Sequence, residues 1–335
     1  MEETSQNLDG WDIKREPSLA LQELERWRST RQRLVDKMRA FGWNKAETSR
    51  RSGVPAGTLG PWCDGTYNGQ FKNITDRVEK FLDSVEELNE VAARIPTAPA
   101  YVATPTSQQV IDALLYAQTM PEISVITLAS GMGKTHATGH YIGGHPHAYS
   151  MTMRPMTNTV IRMMHQLAET LDLQRADVAR TRIEKAIGER LKRNGKNTLL
   201  IVDEAQHLQD EAVNQLRYFH DVYGVGIALV GNDELYGRFG STSSNRPAYA
   251  QLKSRFGYKL RINAPQAGDI ELMLDAWELT EPACRRYMMA VGRRPGALRN
   301  VTKTLQLAGM FAAGQGRPVT LDDLKLAVVN RDLEV

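Results

Sequence analysis

Leu128-Ala129-Ser130-Gly131-Met132-Gly133-Lys134-Thr135 is a glycine-rich turn that closes in Gly-Lys-Thr, the run that nucleotide phosphates require. The residues before it, Ser124-Val125-Ile126-Thr127-Leu128, read as a buried strand, and those after it are compatible with a helix. The glycines therefore fall at a strand-to-helix turn, where backbone N–H groups and a helix N-terminus together wrap an anion. Lys134 then reaches the β- and γ-phosphates, and the Thr135 hydroxyl ligates Mg²⁺. Ser130, Gly131, Met132, Gly133, Lys134, Thr135 and His136 are the expected nucleotide-binding residues. Leu128 stands where the usual pattern has glycine, which predicts a reshaped start to the loop.

A second element supplies acid. Thr198-Leu199-Leu200-Ile201-Val202-Asp203-Glu204 is an apolar run closed by two carboxylates, as a central parallel strand is at the edge where α/β sheets bind ligands. Asp203 is expected to hold Mg²⁺ together with Thr135, and Glu204 to polarise the attacking water. The plain alternative is a strand followed by a solvated acidic turn, which does not explain the Gly-Lys-Thr upstream.

Three further residues complete a set. Gly226-Ile227-Ala228-Leu229-Val230 runs into Gly231-Asn232-Asp233, placing Asn232 beside the acidic pair if the strands are neighbours. Arg255, in Gln251-Leu252-Lys253-Ser254-Arg255-Phe256-Gly257, suits an arginine that completes a neighbouring subunit's site. Arg299 opens an apolar-periodic helix after Gly296 and is placed to reach the γ-phosphate. Taken singly, each is more readily a surface or structural residue than a catalytic one; in this order Asn232, Arg255 and Arg299 form a catalytic group with Glu204.

That order resembles the AAA+ ATPases over roughly residues 100 to 330, with Walker A at 131–135, Walker B at 199–204, sensor 1 at Asn232, an arginine-finger segment at 254–256 and sensor 2 at Arg299. The Leu-Lys-Ser-Arg-Phe stretch is most similar to that of replication initiators and helicase loaders. Arg246 competes with Arg255 as the finger. The resemblance implies an α/β fold: a P-loop AAA+ module, a parallel sheet flanked by helices, using ATP and Mg²⁺.

The 335 residues, 41% hydrophobic and 24% charged, suffice for such a core plus smaller domains. No apolar run approaches the roughly 18 residues that cross a bilayer, and Met1-Glu2-Glu3-Thr4 does not begin a signal peptide, so a cytoplasmic protein with no membrane partner is expected. Cys63 and Cys284 are too far apart in sequence to suggest a disulfide framework or a zinc site. The net charge of +3 is small, but residues 28–80 carry eleven Lys and Arg against five Asp and Glu.

Within that basic stretch, residues 31–41 and 44–51 read as helices, Ser52-Gly53-Val54 as a tight turn, and 55–63 as a helix with proline at its first turn. Helix, turn and helix is the helix-turn-helix plan, with Arg50, Arg51 and Thr58 as DNA-contact candidates. A small helical bundle that binds protein is the alternative. Thr75 to Leu88 closes the domain, and Arg94-Ile95-Pro96-Thr97-Ala98-Pro99-Ala100 reads as a semi-rigid connector. The expected divisions are a helix-turn-helix domain at 1–90, a linker at 91–105, the ATPase core at 106–264 and a helical lid at 265–335.

A helix-turn-helix joined to one AAA+ module resembles the phage Mu B transposition protein family and its relatives in transposable phages and Tn7-like elements. The resemblance implies ATP-bound helical filaments on duplex DNA with little sequence preference, delivery of that target to a transposase, and removal by hydrolysis that protects DNA near the element. Arg154, Thr157 and Arg162, after the second strand, are the phosphate-contact candidates of the core, through sequence-blind electrostatics. A helicase loader and an ATP-regulated transcription factor are the competing classes.

Overall fold

The computed structural model describes residues 12–173, 180–240 and 252–333. The chain divides into two compact units, Met1–Ile95 and Pro96–Val335.

In the first unit, α1 (Leu21–Phe41), α2 (Lys45–Ser52), α3 (Ala56–Asp64) and α4 (Phe71–Arg94) close around Trp27 and Trp62, both fully buried. Trp27 donates to the Trp62 carbonyl at 2.9 Å and Trp62 to the Thr75 hydroxyl at 3.1 Å, so neither buried indole N–H is stranded. α2 starts on the Asn44 side chain, which accepts from Glu47 N, and ends at Gly53, whose φ of +67° makes the sharp exit. The chain from 44 to 64 therefore runs helix, tight turn, helix. α4 extends through Val91-Ala92-Ala93-Arg94, which the expected linker had claimed. It stops where Ile95, held extended before Pro96, leaves the helical region.

The second unit is built on five parallel strands: β1 (Ile123–Leu128), β2 (Ala148–Thr152), β3 (Leu199–Asp203), β4 (Gly226–Gly231) and β5 (Phe256–Ile262). Their order is β2-β3-β4-β1-β5, and every neighbouring pair is parallel. Alternate residues feed two cores, which is why the central strands read as unbroken apolar runs. Val125, Leu200 and Leu229 meet α7 (Val160–Thr170), α8 (Arg180–Asn194) and α9 (Asp210–Tyr223) on one face. Ile126, Ile201 and Val230 meet α5 (Pro105–Thr119) and α6 (Lys134–Gly144) on the other. After β4 comes a short α10 (Asp233–Leu235). A helical lid of α11 (Ala267–Ala276), α12 (Pro282–Gly292), α13 (Ala297–Gly314) and α14 (Leu321–Asn330) packs on its own core around Ile270, Met288, Val301 and Leu324.

Residues 96–104 belong to this unit and are not a free connector. Tyr101 stacks on His140 of α6 with ring centroids 3.8 Å apart, and its hydroxyl lies 3.2 Å from Ser107 Oγ. Proline kept the segment out of a helix, as composition predicts, but its aromatic side chain found a partner. No helix among the described residues is long and apolar enough to cross a membrane.

Candidate nucleotide-binding site

The carboxyl ends of parallel strands share one edge, so the loops after β1, β3 and β4 must converge there. β4 lies between β1 and β3, which sets Asn232 between the glycine-rich loop and the acidic pair. Lys134 opens α6, presenting its side chain and the first N–H groups of that helix to a cleft of about 600 Å³. Ser130 to Ala137, Glu204, Arg299 and Lys303 line it, with Tyr101 and Val102 from the segment before α5.

Lys134 is half-buried, and its ammonium donates to the carbonyls of Leu128 at 3.0 Å and Gly231 at 3.3 Å. Burial lowers its pKa, against the opposing pull of Glu204 and Asp203. Leu128 needs no glycine: it ends β1 with its side chain in the core and only its carbonyl turned to the site. Met132 is also a core residue, 2% exposed, so its backbone is what it can offer a phosphate.

Asp203 is buried, and burial raises its carboxyl pKa despite the 2.9 Å bond it accepts from Glu204 N. A carboxylate held at that cost in free energy suits a cation. Glu204 adopts φ +54°, left-handed and rare for a residue with a side chain, which turns its carboxyl out of the strand into the cleft. Asn232 caps α10, its Oδ1 accepting from Glu234 N at 3.0 Å, which leaves its amide N–H₂ as the group with donors to offer.

Gly131 and Gly133 have φ of +80° and +84°. The two differ in surroundings. A Cβ on Gly131 would lie 2.0 Å from the Gly296 carbonyl oxygen, whereas one on Gly133 would meet nothing within 4 Å. Arg299 N also donates to Gly131 O at 3.2 Å, so the start of α13 is seated on the loop and carries Arg299 to the cleft. Asn300 shapes that start by donating to Pro295 O at 2.7 Å, and Arg331 donates to Asn300 O and Oδ1, each at 3.0 Å. We expect Gly133→Ala to cost only the left-handed backbone penalty, about 1–2 kcal/mol. Gly131→Ala should lower the melting temperature further and weaken nucleotide binding, because the lid must leave the loop; equal losses in thermal melts of the two variants would contradict this seating.

Arg255 is not brought to this cleft. Its carbonyl accepts from Ile123 N at the amino end of β1, and its guanidinium pairs with Asp221 at 2.6 Å. Arg246 lies outside the described residues.

The DNA-contact candidates of the core sit on a braced turn after β2. Arg154 N donates to Thr157 Oγ1 and Thr157 N to Arg154 O, each at 2.9 Å, while Arg162 Nη1 donates to Met156 O at 2.6 Å. Thr157 and Arg162 thus hold the turn's shape. Arg154 is exposed with no acidic partner among the described residues. In the first unit Arg50 and Arg51 share Glu47, and Arg51 also lies over the Trp43 ring at 4.8 Å. Arg33 and Lys37 pair with Glu86 of α4, so part of the basic excess read over 28–80 is balanced just beyond that window.

Residues 119–239 match the AAA domain family, and residues 254–331 match the family described as "Mu B transposition protein, C terminal". The chain is 29% identical over 285 residues to the "ATP-dependent target DNA activator B" of Escherichia phage Mu, covering 85% of this chain and 89% of that protein. It is 31% identical over 261 residues to the "Mu-like prophage FluMu DNA transposition protein B" of Haemophilus influenzae, covering 78% of this chain and 89% of the relative. The chain belongs to the Mu B transposition protein family. Among solved structures, Cdc6p from Pyrobaculum aerophilum superposes with a TM-score of 0.55 at 15% identity, over 71% of this chain and 70% of that one, a likeness of fold. In this Mu B family member the AAA match spans β1 to β4 with the loops after them. The C-terminal match takes in β5 and the lid that delivers Arg299.

Sequence does not reveal Tyr101 or Gln206 as site residues, and it shows Gly296 only as a helix start and not as the neighbour of Gly131. Gln206, two residues past Glu204, carries the one signal that was visible: an amide within Asp-Glu-Ala-Gln.

Proposed function

We propose that this chain is an ATP-dependent, largely sequence-nonspecific DNA-binding ATPase that assembles on duplex DNA, delivers it as a target to a transposase and contributes to target immunity. The observation that carries the reading is the convergence of Lys134, Glu204 and Arg299 on one cleft, with the buried Asp203 close enough to act on the Lys134 charge, in a chain whose relatives bear the names "ATP-dependent target DNA activator" and "DNA transposition protein".

The residues fit ATP with Mg²⁺. Ser130 to His136 cradle the phosphates, with Lys134 exchanging two neutral carbonyls for charged oxygens, a stronger kind of hydrogen bond. Thr135 and Asp203 would hold Mg²⁺, whose preference for oxygen ligands their hydroxyl and carboxylate meet. The metal supplies charge neutralisation at the transferred phosphoryl group. Glu204 accepts the proton of the attacking water, Asn232 orients that water through its amide, and Arg299 stabilises charge developing on the terminal phosphate. Because burial raises the Asp203 pKa and a bound cation would lower it, Mg²⁺ affinity is lost as pH falls through that raised value.

DNA engages through Arg154, with Arg162 and Thr157 fixing its turn, and through Arg50 and Arg51 of the N-terminal unit. The outward face of α3 offers Ala56, Gly57, Thr58, Gly60 and Pro61, so Thr58 supplies the single hydrogen-bonding side chain there. The bidentate readers of guanine and adenine, Arg, Lys, Asn and Gln, are absent from this face. That favours phosphate binding over a sequence-specific transcription factor. Among the described residues of the unit nothing singles out a helicase-loader segment.

The test compares binding to random duplex, single strands and a mixed-sequence library, with ATP and without. The expected result is ATP-dependent binding to duplex, indifferent to sequence and falling steeply with salt. Preference for single strands would favour the loader, and enrichment of one sequence the transcription factor.

A further inference from the structure

Arg331, the residue after α14, carries a half-buried guanidinium that no carboxylate faces among the described residues; burial alone acts on it, lowering its pKa. A cation withdrawn from water without a counter-charge costs free energy that neutral acceptors must offset. Those acceptors all lie on one turn of α13. Nη1 donates to Asn300 O at 3.0 Å and to the Thr304 hydroxyl, and Nη2 donates to Asn300 Oδ1 at 3.0 Å.

The last of these bonds fixes the direction of an amide. A guanidinium only donates, so the Asn300 oxygen must face it, which turns Nδ2 to the other side. There Nδ2 donates to Pro295 O at 2.7 Å, and a Cβ on Gly296 would lie 2.6 Å from it. Asn300 N closes the same turn on Gly296 O at 3.2 Å. The turn needs this hold, because Gly296 takes φ +97° and Ala297 φ +41°, a left-handed value that a residue with a side chain keeps only where its surroundings impose it. Gly296 O lies against Gly131, and Arg299 N bonds to Gly131 O, so the shape of residues 295–300 decides where Arg299 enters the cleft.

We propose that Arg331 is a positioning residue for Arg299: it orients the Asn300 amide, the amide closes the 295–300 turn, and the turn sets the Arg299 guanidinium at the terminal phosphate. This rests on the reading of Arg299 as the group that stabilises charge there. Arg331 itself does not line the cleft.

The experiment measures kcat and KM for ATP of the full-length protein on random duplex DNA, with a thermal melt of each variant. Arg331→Met keeps an apolar stem and removes the donors; it should lower kcat about tenfold to 100-fold, the cost of slightly misplacing a catalytic group, with KM changed less than about threefold. Arg331→Lys still offers Oδ1 only donors, so it holds the amide the same way and should recover kcat to within about fivefold of wild type. Asn300→Asp keeps an acceptor for Arg331 but has no donor for Pro295 O. It should share the kcat loss while melting no lower than Arg331→Met. In an Arg299→Ala background Arg331→Met should lower kcat no further, because nothing remains to be positioned. A merely structural loss would multiply with that of Arg299→Ala. Wild-type kcat in Arg331→Met or Asn300→Asp, an Arg331→Lys rate no better than that of Arg331→Met, or losses that multiply in the double variant overturns the proposal while the Arg299 reading stands. Wild-type kcat in Arg299→Ala overturns that reading, and the proposal with it.

Discussion

Lys134→Ala loses measurable ATP binding while the protein stays folded. The ammonium sits at the mouth of α6, half-buried, and donates to two neutral carbonyls, Leu128 O and Gly231 O. Its pKa is lowered mainly by burial, so the protein has already accepted a cost to keep a cation there. Phosphate oxygens are better acceptors than those carbonyls, and a hydrogen bond to a charged group is worth about 1.5–3 kcal/mol. Lys134 would make more than one, so a loss of at least about 100-fold in affinity is expected. A phosphate raises the lysine pKa, so wild-type affinity should fall as pH climbs through the depressed value, below the ordinary 10.5, and the variant should lack that alkaline limb. Titration with a fluorescent ATP analogue, beside a thermal melt, measures both. Unchanged affinity in a folded variant would remove the glycine-rich loop from nucleotide binding.

The parts of this site that sequence revealed are those whose logic is local. Gly131, Gly133 and Lys134 are fixed by the geometry of one turn, and Asp203 with Glu204 by the end of one strand. What sequence could not show is which distant segments these meet. Gly131 lies against Gly296, more than a hundred residues on, and only the folded lid explains why neither the loop nor α13 can shift alone. Tyr101 falls in a proline- and alanine-rich segment whose composition looks the same whether it faces water or packs on His140. The basic excess of the first unit was overstated because a window ending at residue 80 stops short of Asp83 and Glu86, which pair with Arg33 and Lys37. Strand order made the difference for Asn232: its place beside the acidic pair was conditional on β3 and β4 being neighbours, and they are.

Arg255→Ala should leave ATP binding intact and abolish DNA-stimulated hydrolysis, because this arginine cannot serve its own subunit. Its carbonyl bonds to Ile123 N at the start of β1, while the glycine-rich loop leaves Leu128 at the other end of that six-residue strand. At roughly 3.3 Å per residue the two lie about 17 Å apart along the sheet, beyond the reach of a guanidinium. Arg255 is half-exposed and paired with Asp221, an exchangeable surface contact that a terminal phosphate on an adjoining subunit can replace. An arginine supplied in trans accounts for about 10³ to 10⁵ in phosphoryl-transfer rate, so its loss should leave turnover near background even on DNA.

With Arg255 serving the adjoining site, hydrolysis is completed between subunits lined up on DNA, and a mixture of two inactive variants reads this out. Lys134→Ala cannot hold ATP but keeps Arg255; Arg255→Ala holds ATP but lacks the donor. ATP turnover on duplex DNA, measured across mixing ratios at constant total protein, should rise from background in each pure variant to a maximum in the mixture, as Lys134→Ala subunits serve intact sites beside them. A mixture as inactive as its components, with both variants folded and Arg246→Ala showing the same turnover defect, would move the role to Arg246. Full turnover in both Arg255→Ala and Arg246→Ala alone would contradict a shared site and place the whole reaction within one subunit.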